Sequence, residues 1–164
     1  MRVAILCDPA HLTLKDYLIV RLTEDAHQFD DLGCSTDQHL LHLIRSIIAK
    51  THTHGILLSE NAHTAAILAN RFPGIRATVC ADVFAARTAT TLSNANLAIL
   101  GGDAGRAARA WDIVRIWLAG EFMAHPHNGH TSLLHLIEDI DRLLDKSERS
   151  AALLNHFDDT RTPI

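Results

Sequence analysis

The sequence contains too few cysteines for a protein held together by disulfides or by cysteine-bound zinc. Its 164 residues include three cysteines, Cys7, Cys34 and Cys80. An odd and widely spaced set argues against a disulfide framework and against a zinc motif, and it is typical of proteins in the reduced cytoplasm. We therefore expect a cytoplasmic protein.

The sequence also lacks an excess of positive charge and a long apolar run. Its formal net charge is -4, which does not indicate a nucleic-acid partner. No apolar run approaches the roughly 20 residues of a membrane span, and the first residues, MRVAILCDPAH, become polar too soon for a signal peptide. We expect neither a nucleic-acid nor a membrane partner, and the sequence points to no cofactor.

Five short apolar runs alternate with helical patterns along the chain. The runs are predicted as strands at 3–7, 28–33, 55–58, 75–80 and 97–100. Helices are predicted at 12–22, 62–71, 106–122 and 131–157. Two more are predicted from their N-caps: one begins after Ser35 or Thr36, and one runs from an Asp82 cap to about 92. A loop at 125–129 precedes the last helix. This alternation predicts an α/β fold with a parallel sheet covered on both faces, in one domain over residues 1–157 with a tail at 158–164.

The long C-terminal helix of this prediction carries an apolar stripe and is followed by no strand. The stripe consists of Leu133, Ile137, Ile140 and Leu144. Such a stripe needs a surface to pack on. That surface is either the helix's own domain or a second subunit, and the sequence leaves both open.

The stretch from Gly55 to Arg76 joins a predicted strand to a predicted helix through Ser59, Glu60 and Asn61. In a parallel sheet this junction lies at the carboxyl end of a strand, where open α/β folds bind ligands. Asp8 ends the first predicted strand in the same way. We therefore expect these side chains to share a crevice. The alternative is that they cap the helices that follow them.

Histidine is frequent, with twelve in the chain, and two of the twelve fall near this crevice. His11 follows the first strand, and His63 lies in the first turn of the helix after Asn61. With Asp8 and Glu60 they would form an acid–base set, since the i, i+3 spacing of Glu60 and His63 puts both on one side of a helix. The alternative is that each is an ordinary surface histidine.

Several segments carry a resemblance to a known family: MRVAILCDPAH at the start, 69–70 with 73–76, 85–87, 94–97 with 101–102, and 117–122. From residue 1 to about 122 the chain is similar to ribose-5-phosphate isomerase type B and galactose-6-phosphate isomerase. The resemblance implies a Rossmann-like three-layer fold with a five-stranded parallel sheet, and dimers or tetramers with active sites between subunits. It also implies interconversion of aldose and ketose phosphates through an enediolate.

The positions that carry the family's chemistry differ in this sequence. The resemblance implies a base cysteine that begins a glycine-rich loop. Ser59 stands at that position here, and residues 60–64 contain no glycine. A glutamate that serves as base in some relatives corresponds to Ala65, and the ring-opening histidine corresponds to the pair Leu92 and Ser93. An unassisted serine hydroxyl is a poor base at neutral pH, whereas a thiolate is accessible.

The segment that the resemblance assigns to phosphate binding differs as well. The family holds the phosphate with arginines that flank a histidine, and residues 125–130 here read HPHNGH. His127 matches the histidine, and His130 would replace one arginine in part as a titrating cation. Metal binding by these histidines together with His125 is a weaker alternative, since such sites usually need three or four convergent ligands. We predict no metal.

Two main hypotheses follow for function. The first is an aldose–ketose isomerase with an altered substrate or impaired catalysis, with catalytic candidates Ser59, Glu60 and His63 and substrate-binding candidates Asp8, His11, Asn61, Thr64, His127 and His130. The second is a non-catalytic subunit or sugar-binding module that partners an intact relative, and a purely structural oligomer is a third. The expected partners are a sugar or sugar phosphate and further subunits, in a homodimer, a homotetramer or a hetero-oligomer.

Overall fold

Five parallel strands form the centre of the molecule. The computed structural model describes residues 2–34, 37–101, 107–123 and 129–145. The strands are β1 (Arg2–Cys7), β2 (Gln28–Cys34), β3 (His54–Leu58), β4 (Ala77–Val79) and β5 (Leu97–Leu100). Their order across the sheet is β2-β1-β3-β5-β4, and every neighbouring pair is parallel. The predicted parallel α/β fold is therefore confirmed.

In the part of the chain that the structure describes, six helices accompany the strands, and a 3₁₀ turn at Pro9–His11 precedes the first of them. They are α1 (Leu12–Glu24), α2 (Asp37–Ile48), α3 (Ala62–Ala69), α4 (Val83–Thr91), α5 (Ala107–Ala119) and α6 (Gly129–Asp145). The predicted loop at 125–129 is wrong at its last residue, because Gly129 already belongs to α6. The predicted caps at Ser35 and Thr36, the helical stretch 146–157 and the tail 158–164 lie outside the described residues.

Both faces of the sheet are buried, because successive residues of each strand point to opposite sides. Ile5 packs into a core formed with α1, α4 and α5, whereas Leu6 packs into a second core with α2 and α3. Leu58 packs into the first of these cores and Leu57 into the second. Trp111 and Trp117 are both buried in the first core.

Strand β4 lies at one edge of the sheet and is shorter than the predicted run at 75–80. The residues before it bond elsewhere: the Ile75 N–H donates to the Phe72 carbonyl, and the Arg76 N–H donates to the Asn96 side chain. Asn70 then covers the edge, since its amide side chain both accepts from the Ala77 N–H and donates to the Ala77 carbonyl, at 2.8 and 2.9 Å. Pairing an exposed strand edge in this way keeps it from recruiting another chain.

Side-chain hydrogen bonds cap one helix and anchor another. The Asp82 carboxylate accepts from the Ala85 N–H at 2.8 Å, which confirms the predicted cap of α4. Helix α6 is attached to the loop before β4, because the Asp141 carboxylate accepts from the Gly74 N–H at 2.8 Å. The apolar stripe of α6 stays exposed within the single chain. Across the described residues, no helix is both long and apolar enough to cross a bilayer.

Candidate functional site

The carboxyl ends of β1 and β3 bring together two polar side chains that are distant in sequence. Cys7 is the register partner of Leu58, so the residues that follow them, Asp8 and Ser59, are neighbours. The backbone continues the ladder past the strands, because the Asp8 N–H donates to the Leu58 carbonyl at 2.8 Å. The parallel sheet thus places the end of the first strand beside the polar segment that follows the third.

The Asp8 carboxylate organises this segment. Its Oδ2 accepts from the Ser59 hydroxyl at 2.7 Å and from the Glu60 backbone N–H at 2.9 Å. The Ser59 oxygen in turn accepts from the Asn61 N–H at 3.2 Å. Asp8 makes no capping bond to the turn that follows it, and Asn61 makes none to α3. For Asp8 the polar contact across the sheet edge therefore replaces the capping role that was the alternative, and the Asn61 side chain does not act as a cap.

A cavity of about 410 Å³ opens beside this network. Its polar lining is Asp8, Ser59, Glu60, Asn61 and Thr64, all of which are sequence-predicted site residues. Ser59 is buried and Glu60 is exposed. Among the described residues, the Glu60 carboxylate has no hydrogen-bond or ion-pair partner. The cavity therefore contains one fixed carboxylate, on Asp8, and one that is free to meet a ligand, on Glu60.

Two predicted histidines lie near the cavity without lining it. His11 is buried, and its Nδ1 atom has no hydrogen-bond partner in the described part of the chain. The interpretation of His11 as a surface residue is thus wrong, because the 3₁₀ turn after Asp8 directs it inward. His63 is exposed in the first turn of α3. Glu60 precedes that helix, so the two residues do not share a helix side as expected.

The predicted histidines of the phosphate segment fall largely outside the described residues. His125 and His127 lie outside the described residues, and His130 belongs to the first turn of α6. In the ranges that the structure describes, no group of three histidine, cysteine or acidic side chains is arranged to hold a metal ion. The roles proposed for His127 and His130 remain predictions.

Apolar residues that sequence reasoning did not assign to the site complete the cavity wall. Leu40 comes from α2, Leu68 from α3, and Leu6 and Leu57 from the strands. In the sequence these leucines are indistinguishable from ordinary core positions, because each follows the apolar period of its element. Only the packing of α2 beside β1 and β3 makes Leu40 part of a ligand cavity.

The thiols near the site are chemically inert. Burial, assisted by a hydrogen bond with the Cys34 thiol, raises the pKa of Cys7 to about 12. Burial also raises the pKa of Cys80 to about 12. A thiol that stays protonated at neutral pH is a poor nucleophile and a poor base. Neither cysteine therefore replaces the thiolate base that the resemblance implies at position 59.

A parallel sheet with helices on both faces and a polar cavity at its carboxyl edge defines a doubly wound α/β protein of the ligand-binding class. Residues 3–134 match the Ribose/Galactose Isomerase family, and the chain belongs to this family of sugar-phosphate isomerases. The match spans β2 to β5 entirely and β1 from its second residue.

Named relatives show how far the similarity extends. The chain is 26% identical over 148 residues to Ribose-5-P isomerase B of Listeria innocua, which covers 87% of this chain and 100% of the relative. It is 32% identical over 132 residues to D-erythrulose-4-phosphate isomerase of Pectobacterium atrosepticum, with coverage of 74% and 85%. The crystal structure of a ribose 5-phosphate isomerase from Thermotoga maritima superposes with a TM-score of 0.75 at 29% identity, covering 84% of this chain and 97% of that one.

Proposed function

We propose that this protein is an aldose–ketose isomerase acting on a small sugar or sugar phosphate, with Glu60 as the base that transfers the proton. The observation that carries the proposal is the Glu60 carboxylate, which lines the 410 Å³ cavity and has no partner among the described residues. The membership in a family of sugar-phosphate isomerases supports the reaction class. Glu60 thus takes the role for which the resemblance implies a cysteine at position 59.

The chemistry needs a base that removes a proton from the carbon beside a carbonyl and returns it to the former carbonyl carbon. A carboxylate performs this transfer, and the proton of the neighbouring hydroxyl moves to the carbonyl oxygen as the enediolate forms and collapses. The Ser59 hydroxyl is a poor choice for the base, because it already donates its proton to Asp8 at 2.7 Å. Asp8 is a positioning residue in this scheme, since it holds Ser59 and the Glu60 N–H.

Two further side chains support substrate binding. The Asn61 amide and the Thr64 hydroxyl line the same cavity, and such groups donate to and accept from sugar hydroxyls. The position of Glu60 just before α3 is also favourable, because the amino end of a helix stabilises a nearby negative charge. His63 stays a weaker candidate, because it is exposed and outside the cavity lining.

The test compares Glu60→Gln with the wild type in an isomerisation assay on ribose 5-phosphate, erythrulose 4-phosphate and the corresponding unphosphorylated sugars. Loss of a general base lowers kcat by about 10²- to 10⁴-fold, and we expect a loss in this range. Glu121→Gln is the matched control, because Glu121 is exposed and follows α5 at the other end of the sheet. Unchanged turnover in Glu60→Gln would exclude Glu60 as the base.

A second candidate function is a non-catalytic, sugar-binding subunit. Two observations favour it: Asp8 engages the hydroxyl that stands in place of the base, and the apolar stripe of α6 is exposed in the single chain. On this alternative the protein forms a hetero-oligomer with an intact relative in the cytoplasm. It predicts sugar binding without turnover by the purified chain, and turnover only after co-expression with that relative.

A further inference from the structure

Two of the three cysteines lie side by side next to the candidate site. Cys7 is the last residue of β1, and its register partner on the neighbouring strand is Cys34, the last residue of β2. We propose that Cys7 and Cys34 form an oxidisable pair, which a hydroperoxide converts to a disulfide, and that this disulfide disturbs the Asp8 contact at the cavity. The inference concerns the first two strands and is independent of the proposed isomerase activity.

An irregularity in β2 brings the two cysteine side chains to the same face of the sheet. Strand β2 has one residue more than β1 between two successive register pairs, and the second of these pairs is Cys7 with Cys34. In a regular strand, residues two apart share a face. Leu32 nevertheless packs against the second core, whereas Cys34 packs against the first, where Cys7 lies. The extra residue is a β-bulge, which changes the direction of the side chain that follows it.

Gly33 is the residue that allows this bulge. Its φ of +89° lies in the left-handed region, which glycine adopts without a steric penalty. The Gly33 N–H donates to Asp31 Oδ1 at 2.8 Å, and both oxygens of Asp31 accept from the buried Lys15 ammonium group at 2.6 and 2.8 Å. The bulge is therefore held by the side chains around it, and the position of Cys34 follows from it.

The arrangement meets the geometric requirements of a disulfide. A disulfide joins residues whose Cα atoms lie about 4.4–6.8 Å apart and whose Cβ atoms do not point away from each other. Neighbouring strands lie about 4.7–4.9 Å apart, and the two cysteines share a face. Burial and a hydrogen bond with the Cys34 thiol raise the pKa of Cys7 to about 12, so the two thiols are already in contact.

The two thiols differ in their access to an oxidant. Cys7 is buried, whereas Cys34 is partly exposed, and a hydroperoxide therefore meets Cys34 first. The Cys34 sulfur attacks one peroxide oxygen, the O–O bond breaks, the thiol proton leaves with the alcohol or water, and Cys34 becomes a sulfenic acid. The Cys7 sulfur then attacks the Cys34 sulfur, the S–O bond breaks, and the hydroxyl group leaves as water with the Cys7 proton. Two thiols are oxidised and one hydroperoxide is reduced.

The raised pKa of Cys7 does not prevent the second step. After burial and the hydrogen bond, the charge of the Cys34 sulfur is a further cause of that raised pKa, and this cause ends when Cys34 becomes a neutral sulfenic acid. The reaction is also intramolecular, and well-oriented groups react with effective concentrations of about 10⁵ M or more. Cys7 is thus inert toward a substrate but reactive toward a sulfenic acid on its register partner.

Cys7 links this pair to the cavity, because Asp8 follows it directly in the chain. The Asp8 carboxylate accepts from the Ser59 hydroxyl at 2.7 Å and from the Glu60 N–H at 2.9 Å. Strand β1 lies between β2 and β3 in the sheet. A covalent bond that draws Cys7 toward β2 therefore draws Asp8 away from the segment that follows β3.

The test treats the reduced full-length protein with hydrogen peroxide and maps its peptides by mass spectrometry without a reductant. We expect the peptides that contain Cys7 and Cys34 to become linked with the loss of two hydrogen atoms, and dithiothreitol to reverse the link. Cys34→Ser should abolish the link, whereas Cys80→Ala removes the remaining buried thiol and should leave it unchanged. A Cys7 thiol that stays free after oxidation, or a covalent dimer joined through Cys34, would overturn the proposal.

Two glycine variants test the role of the bulge. Gly33 and Gly74 both have a positive φ, of +89° and +82°, and an added Cβ meets no atom within 4 Å at either position. The two substitutions therefore introduce comparable backbone strain, but only Gly33→Ala displaces Cys34. We expect Gly33→Ala to slow disulfide formation by on the order of 10²-fold, because misplaced groups lose effective concentration, and Gly74→Ala to leave the rate unchanged. Equal rates in the two variants would refute the role of the bulge.

Hydrogen–deuterium exchange tests the link to the cavity without any substrate. The Asp8 N–H donates to the Leu58 carbonyl at 2.8 Å, and the Glu60 N–H donates to the Asp8 carboxylate at 2.9 Å. In the oxidised protein we expect the Glu60 N–H to exchange about tenfold faster, which corresponds to the loss of one ordinary hydrogen bond. Cys34→Ser treated with the same peroxide is the control. Unchanged exchange in the fully disulfide-bonded protein would overturn the link between the cysteine pair and Asp8.

Discussion

The two edges of the sheet each carry a cavity, but they use their polar side chains differently. At the amino edge the cavity is larger, about 520 Å³ against 410 Å³ at the carboxyl edge. Several of its polar groups are bonded internally: Arg76 donates to the Asn94 carbonyl at 2.5 Å, and Asn96 bonds the Arg76 N–H and the Gly74 carbonyl. Lys50 also lines this cavity, and its ammonium group has no bonding partner among the described residues. At the carboxyl edge, Glu60 keeps a carboxylate with no partner among the described residues.

The difference supports the proposal that the carboxyl-edge cavity is the one that binds a ligand. Size alone favours the amino edge, yet its hydrogen-bonding groups hold the loops before β4 and β5 in place. The other cavity lies where parallel strands end, which is the position at which open α/β folds bind ligands. We therefore propose ligand chemistry at the carboxyl edge and a stabilising role at the amino edge.

The largest effect on stability is expected when one bridging side chain is replaced at each edge. Asn96→Ala leaves the Arg76 N–H and the Gly74 carbonyl unsatisfied, and we expect a loss of about 2 kcal/mol in the free energy of unfolding. Ser59→Ala removes one of two donors to Asp8 and the acceptor of the Asn61 N–H. Asn61 is exposed, so water can replace its bond, and we expect a loss of about 1 kcal/mol. Urea unfolding measures both. A larger loss for Ser59→Ala would contradict the assignment of stability to the amino edge.

A smaller effect concerns His54, which lines the amino-edge cavity and packs edge-on against Trp117 with ring centroids 5.2 Å apart. Burial, with the charge of Arg76 nearby, lowers the pKa of His54 below its usual 6.5. The folded state thus favours the neutral ring. The stability that His54 contributes is complete above pH 6.5 and is lost as the pH falls from 6.5 through the lower folded value.

Unfolding measured between pH 8 and pH 5 checks this expectation. The wild type should lose stability below pH 6.5, and His54→Gln should lose less over the same interval. His63→Gln is the matched control, since His63 is exposed on α3. An acid-dependent loss of the same size in His54→Gln and in the wild type would show that His54 is not its source.

The smallest effect concerns Asp30, which links β2 to the loop before β3. Its Oδ2 accepts from His52 Nε2 and from Arg2, each at 2.7 Å. The hydrogen bond from His52, with the charge of Arg2, lowers the pKa of Asp30 below its ordinary 3.8. This depressed value means that the stabilisation is complete above pH 3.8 and is lost as the pH falls through the folded value.

The free energy of unfolding, measured as the pH is lowered through the acid range, tests this contribution to stability. The wild type should lose stability below pH 3.8, and Asp30→Asn should lose less in that interval. The effect should be small because the Asp30 side chain is 39% exposed. Asp112→Asn removes a surface pair with Arg115 and provides the comparison. Equal acid sensitivity in wild type and Asp30→Asn would refute the contribution.

Much of the fold could be predicted because strand and helix periods are local properties of the sequence. The runs at 3–7 and 97–100 became β1 and β5 with at most one residue of change. The predicted strand at 75–80 was too long by two residues at its start and one at its end. At the start, the Ile75 and Arg76 N–H groups donate to the Phe72 carbonyl and to the Asn96 side chain instead of to a neighbouring strand. Those partners lie in a turn and in a later strand connection, which no local pattern reveals.

The sequence by itself determined the order of the strands and helices along the chain and most of their extent, that both faces of the sheet are buried, and that Ser59, Glu60 and Asn61 lie at a strand–helix junction. Only the tertiary structure decided that Asp8 bonds Ser59 across 51 residues of sequence. That contact depends on β1 lying next to β3, and strand order is a long-range property that local periodicity does not encode. For the same reason the inward turn of His11 and the part that Leu40 plays in the cavity emerged from packing alone.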